Sequence, residues 1–169
     1  MTLGLVDIGI GNLGSLSGAL NKINAKFKIC NSISAFNDID KIILPGVGNF
    51  RKFMHVLKQS KFDEIILKKI NQNTPILGIC LGFQILFESS NEDGFTNGLG
   101  ILNGNFDHFN NISKSIRVPH TGWNQCYIKN KNKLYENIGN GFDFYFSHKY
   151  YLKNFDNDIV ITNTNYHVN

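Results

Sequence analysis

The sequence predicts an open α/β fold: a mainly parallel sheet with helices on both faces, and antiparallel strands added in the second half. Three observations predict it. Short apolar runs closed by Gly, Pro or Asn recur through the first half. Between them, apolar residues return at helical spacing. The second half is richer in aromatics, Asn and short strand-like runs.

The elements follow in order. Residues 3–8 read as a strand ending in a Gly-rich turn, and Leu13, Leu16, Leu20 and Ile23 mark a helical face. A second strand covers 26–30. A third covers 41–44 and is closed by Pro45-Gly46. Phe50, Phe53, Met54 and Leu57 fall on one face of a helix; Ile65, Ile66 and Ile70 mark another. Residues 75–79 form a fourth strand and 81–87 a helix. Beyond lie strand-like runs at 105–109, 123–128, 142–147 and 159–162. With no linker or repeat in view, a single domain over residues 1–169 is expected. In such a sheet ligands bind beyond the carboxyl ends of the strands, so the turns after Ile8, Leu44 and Ile79 belong to one site.

Composition narrows the function. Apolar residues make up 42% and charged residues 18%, a globular balance rather than a disordered one. No apolar run approaches the ~20 residues of a membrane helix, and the N-terminus carries no basic signal region. A soluble, cytoplasmic protein without a membrane partner is expected. The net charge of +4 is scattered, and no basic stripe interleaves with aromatics, so no nucleic-acid partner is expected. Cys30, Cys80 and Cys126 are far apart and outside any CxxC or His-Cys cluster. Neither a disulfide framework nor a metal site follows. His55 and His108 sit in polar stretches and read as surface.

The strongest chemical signal is Gly78-Ile79-Cys80-Leu81-Gly82. It is a nucleophile elbow with Cys in place of Ser. A nucleophile on a sharp strand-to-helix turn adopts a strained backbone, and side chains two residues to either side would clash. The helix that follows is expected to aim its first amides at the sulfur and favour thiolate. The Leu81 amide is then placed to donate to an oxyanion. Pro45-Gly46-Val47-Gly48-Asn49-Phe50 also lies between a strand and a helix, and its glycines let backbone amides approach a ligand as a second oxyanion donor.

PGVGNF, GICLGFQILFESS, RVPHTGWN and FYFSHKYY, in this order, resemble the class I glutamine amidotransferases over essentially the whole chain. Within that family the glutaminase subunits of imidazole glycerol phosphate synthases are the most similar; RVPHTGWN is the narrower marker. The resemblance implies a flavodoxin-like sheet and hydrolysis of L-glutamine to glutamate and ammonia, with Cys80 as nucleophile and no cofactor. It implies that Gly46, Val47 and Gly48 turn an amide toward the oxyanion. Gln84 would lie beside the glutamine, and the backbone of Lys149 and Tyr150 would hold its amino-acid end. Asn12, His120 and Trp123 would face a (βα)8-barrel synthase subunit, into which ammonia passes for imidazole glycerol phosphate formation in histidine biosynthesis. Similar paralogues feed ammonia to enzymes that modify surface sugars.

Two departures stand out. The family usually has His-Ser-Tyr where this chain has His148-Lys149-Tyr150. The family's His-Pro-Glu segment, which supplies the base and its orienting acid, is expected beyond residue 169; His167 has no acid two residues later. The 169 residues as they stand are therefore expected to be inactive, with His120 and His148 the only surrogates for a base.

Two rival readings remain. Gly9-Ile10-Gly11-Asn12-Leu13-Gly14 is a literal GxGxxG, the dinucleotide fingerprint. The acid expected at the end of the second strand is replaced by Cys30-Asn31, and Asp38 and Asp40 come too late. An elbow without a base would also suit a catalytically dead, partner-binding chain.

Overall fold

A computed structural model describes residues 1–130 and 132–166. The chain gathers into two compact units, one spanning Met1–Leu102 and the other beginning at Asn103.

The first unit is built on four parallel strands: β1 (Leu3–Val6), β2 (Phe27–Cys30), β3 (Lys41–Gly46) and β4 (Ile76–Cys80). Their order is β2-β1-β3-β4. The chain thus reverses direction of travel between β1 and β3, which is where an open sheet splays to leave a crevice. Ile42, Ile43 and Leu44 of β3 are all buried, as expected of a strand covered on both faces. Ile43 packs with Leu5 and with Leu20 of α1 (Leu13–Lys22). Alternation sends Ile42 and Leu44 to the opposite face.

Helix α2 (Phe50–Gln59) buries Phe50, Phe53, Met54 and Leu57, the four positions its spacing singles out. Removing each such side chain from water contributes roughly 2 kcal/mol. Helix α3 (Phe62–Asn71) carries Asp63 and Glu64 in its first turn and Lys68 and Lys69 in its last, in keeping with its dipole. It buries Phe62 and Ile66, and the Phe62 ring meets Phe36 edge-on at 5.4 Å. No helix of the described residues is long and apolar enough to cross a membrane.

Three expectations are corrected. Ile23 is not on the buried face of α1; it caps the helix and is 72% exposed. The helix predicted over 81–87 ends after one turn as α4 (Leu81–Gln84), and Phe87 opens a strand, β5 (Phe87–Ser90), paired with β6 (Thr96–Asn97). The cause is competition for carbonyls. Those of Ile85, Leu86, Phe87 and Glu88 accept amides from the returning segment 98–102 instead of from residues four further on. The strand predicted over 159–162 is mostly a turn. Ile159 and Val160 donate to Asp156 and Asn157, and pairing is limited to β11 (Thr162–Asn163).

The second unit is antiparallel, as predicted. β7 (Leu102–His108) pairs with β10 (Tyr150–Lys153), and β8 (His120–Ile128) pairs with β9 (Phe142–His148) and β11. Within it the buried carboxylate of Asp107 forms an ion pair with Lys153 and also accepts from the Asn111 amide at 2.7 Å. This ion pair could not be read from sequence, since its partners lie on different strands.

Candidate active site

The elbow is present in the strained form that its sequence predicts. Cys80 ends β4 with φ 54° and ψ −116°, a region costing a non-glycine residue on the order of 1–3 kcal/mol. Its neighbours show what enforces it. A Cβ on Gly78 would stand 2.5 Å from the Phe83 Cα, and one on Gly82 would stand 1.9 Å from the Leu44 carbonyl oxygen. Only glycine lets the strand end, the turn and the neighbouring strand stack this closely. The Cys80 side chain is exposed at the carboxyl end of the sheet.

The neighbouring strand delivers the second element. Gly46, the last residue of β3, is the register partner of Cys80. A Cβ there would meet the Gly82 nitrogen at 2.6 Å and the Phe53 ring at 2.9 Å. The segment Gly46-Val47-Gly48 therefore leaves the sheet directly beside Cys80. Val47 is exposed, and Gly48 has φ +98°. Among the described residues, no hydrogen bond engages the backbone of Val47 or Gly48. Leu81 is buried and Gln84 half-buried on α4. The Leu81 amide lies at the start of that helix, where amides have no partner within the helix. Because α4 is a single turn, it sums few peptide dipoles. The long-helix contribution expected from sequence shrinks to these local amides.

The other cysteines are set apart by burial. Cys30 is fully buried, its thiol donates to the Ala35 carbonyl at 3.5 Å, and burial pushes its pKa up. Burial also raises that of Cys126, with Asp143 adding to the effect.

The remaining predicted residues divide between the units. Asn12 is exposed and caps α1, accepting from the Ser15 amide at 3.3 Å. After β2 the chain runs into Asn31 and Ser32, neither acidic, where a dinucleotide site expects its carboxylate. In the second unit Trp123 is 73% exposed and pairs in register with Tyr145, their rings edge-on at 5.7 Å. His120 is buried, stacked on Phe146 and Tyr166 with ring centres at 4.4 and 3.8 Å. Its Nδ1 lies 3.1 Å from Nε2 of His148, whose own Nδ1 lies 2.8 Å from the Tyr150 carbonyl. Burial lowers the His148 pKa, and the carbonyl contact opposes that only in part. Lys149 is exposed, and its carbonyl accepts the Phe109 amide at 3.1 Å. The carbonyls of Lys149 and Tyr150 are thus both engaged within the unit. His167 lies outside the described residues.

Sequence reasoning missed one part of the first unit. The turn between β5 and β6 meets the start of α2: the Phe50 amide donates to Glu92 at 2.7 Å, and the Asn49 side-chain amide donates to Asp93 at 2.8 Å. Asp93-Gly94 between two short strands is a hairpin signal, and it would have located the turn but not its contacts.

Comparison with known proteins places this geometry. A family model described as glutamine amidotransferase class-I matches residues 4–169. The imidazole glycerol phosphate synthase subunit HisH of Pyrococcus furiosus is 43% identical over 164 residues, covering 97% of this chain and 79% of that protein. The corresponding subunit of Geobacillus sp. strain WCH70 is 36% identical, covering 98% and 80%. Among solved structures, one described as a glutamine amidotransferase superposes with a TM-score of 0.73 at 13% identity, covering 95% of this chain and 78% of that one. PurLQS from Thermotoga maritima gives 0.66 at 20%, covering 99% and 76%. At these identities the structures speak for the fold, which they share with the α/β arrangement described above.

Proposed function

The chain belongs to the class I glutamine amidotransferases, and on that premise we propose that it is the glutaminase subunit of an imidazole glycerol phosphate synthase, with Cys80 as its nucleophile. The observation that carries the proposal is the register pair Gly46–Cys80. It sets a strained, exposed Cys80 beside a loop whose Val47 and Gly48 amides have no other partner among the described residues.

The chemistry follows from that pairing. The Cys80 sulfur attacks the carboxamide carbon of glutamine. The developing oxyanion is met by the Leu81 amide and by an amide of the Gly46–Gly48 segment once it turns inward. The C–N bond breaks when a general acid protonates the departing nitrogen, and ammonia leaves a glutamyl thioester. Water then hydrolyses the thioester to glutamate with the same group acting as base. His55, the one histidine of the first unit, is exposed on α2 and is not read as this base. Both ring nitrogens of His148 are engaged, by His120 and by the Tyr150 carbonyl, and those of His120 by His148 and by the Asn124 amide at 3.4 Å, so neither is read as the base. None of the five histidines has an acid two residues later, so the 169 residues alone are read as inactive until a base and its orienting acid are supplied. Ammonia is passed to a (βα)8-barrel synthase subunit in the cytoplasm, and exposed Trp123 suits a contact with that partner. The HisH relatives support this assignment over a sugar-modifying paralogue.

The test is Cys80→Ala in the full-length protein with its synthase subunit. Glutamine-dependent product formation should disappear while use of free ammonia persists. Glutamine-dependent turnover that survived the change would end the proposal.

A further inference from the structure

Because Gly46 is held in the sheet, the Gly46–Gly48 segment can place an amide reproducibly only if its other end is held as well. That end is Asn49. Its side-chain oxygen caps α2, accepting the Lys52 amide at 3.0 Å. Capping needs only that oxygen. The side-chain nitrogen makes a second bond, 2.8 Å to Asp93 on the β5–β6 turn, which lies 44 residues away in sequence.

The turn is shaped for this contact. Asp93 has φ 53° and Gly94 has φ +91°, consecutive left-handed residues that bring the carboxylate round to Asn49. A Cβ on Gly94 would stand 2.6 Å from the Arg51 guanidinium, so this side chain of α2 lies over the turn. Arg51 Nε donates to Thr96 on β6 at 3.1 Å, and the Phe50 amide donates to Glu92. Three successive residues of the α2 start are thereby fastened to one hairpin.

We infer that Asn49 and Asp93 are positioning residues for the oxyanion loop: their bond fixes the downstream end of Gly46–Gly48, so that only the Val47 and Gly48 peptides are free to turn toward Cys80. The inference rests on the glutaminase reading above. Neither residue touches substrate; each acts through the amide that the loop presents. A bond whose only role was to cap α2 would leave catalysis indifferent to Asp93, because Asn49 caps through its other atom.

The experiment compares Asp93→Gly with Asp93→Asn in the full-length protein, reading glutamine hydrolysis. Glycine keeps the left-handed turn and removes the acceptor; asparagine keeps both a tolerated turn and an acceptor oxygen. Asp93→Gly should lower kcat roughly ten-fold, the scale of a small misplacement at the reacting centre, with KM within about two-fold of the wild type. Asp93→Asn should stay near the wild type. Alkylation of Cys80 by iodoacetamide needs no oxyanion and should be the same in all three. Should Asp93→Gly not fold, Asn49→Ser retains the cap oxygen, loses the longer amide nitrogen that reaches Asp93 and should show the same fall in kcat. Wild-type kcat in Asp93→Gly or Asn49→Ser would overturn the inference alone, as would equal losses in Asp93→Gly and Asp93→Asn. A wild-type protein that hydrolyses no glutamine would overturn the glutaminase reading and this inference with it.

Discussion

Gly82 and Leu44 touch through backbone alone: a Cβ added to Gly82 would lie 1.9 Å from the Leu44 carbonyl oxygen. Neither atom belongs to a flexible side chain, so the clash is relieved only by separating β3 from the elbow. Gly82→Ala should cost about 3 kcal/mol or more, the upper end for overpacking a close contact. Chemical denaturation of the variant against the wild type measures it. A change under about 1 kcal/mol would mean that the elbow tolerates a wider gap than the structure shows.

Gly18 is the opposite case. It lies inside α1, and a Cβ there would meet nothing within 4 Å. Gly18→Ala should therefore stabilise the protein by roughly 0.5–1 kcal/mol, through helix propensity and a less flexible unfolded chain. The same denaturation series reads both variants, and the two alanines should shift the midpoint in opposite directions.

His148 gives the second unit a pH dependence whose sign is set by its lowered pKa. The folded state holds this imidazole neutral at pH values where the unfolded chain would already bind a proton. Its contribution is complete above the ordinary histidine value and is lost as pH falls through that value toward the lowered one. Stability of the second unit should begin to fall as the pH drops below the ordinary histidine value of about 6.5. Replacement of His148 by Gln should flatten that slope, and an unchanged slope would assign the acid sensitivity to other groups.

Much of this was legible because local rules and tertiary contacts agree. The four parallel strands, the buried stripe of α2 and the demand for glycine on both sides of Cys80 all follow from spacing and sterics that act within a few residues. Legibility failed where contacts distant in sequence decide the outcome. Ile85-Leu86-Phe87 suits a buried helix or a buried strand equally well, and the return of residues 98–102 ends the helix and lets a strand begin at Phe87. The burial of His120 depends on Phe146 and Tyr166, which no local pattern links to it. The tie from Asn49 to Asp93 was invisible for the same reason: each residue, taken alone, reads as an ordinary cap or turn residue.

The distribution of aromatics over the two units decides what an optical experiment can see. The single tryptophan and all six tyrosines lie beyond residue 103, and the unit that carries Cys80 has phenylalanine as its only Phe, Tyr or Trp residue. Tyrosine and tryptophan absorbance and fluorescence therefore report on the second unit alone. With its indole already 73% exposed, Trp123 emits from a largely aqueous setting before unfolding begins, so its wavelength should move little when β8 melts. Loss of the elbow would pass unseen by either signal, and it is far-ultraviolet circular dichroism, dominated by the helices of the first unit, that would register it.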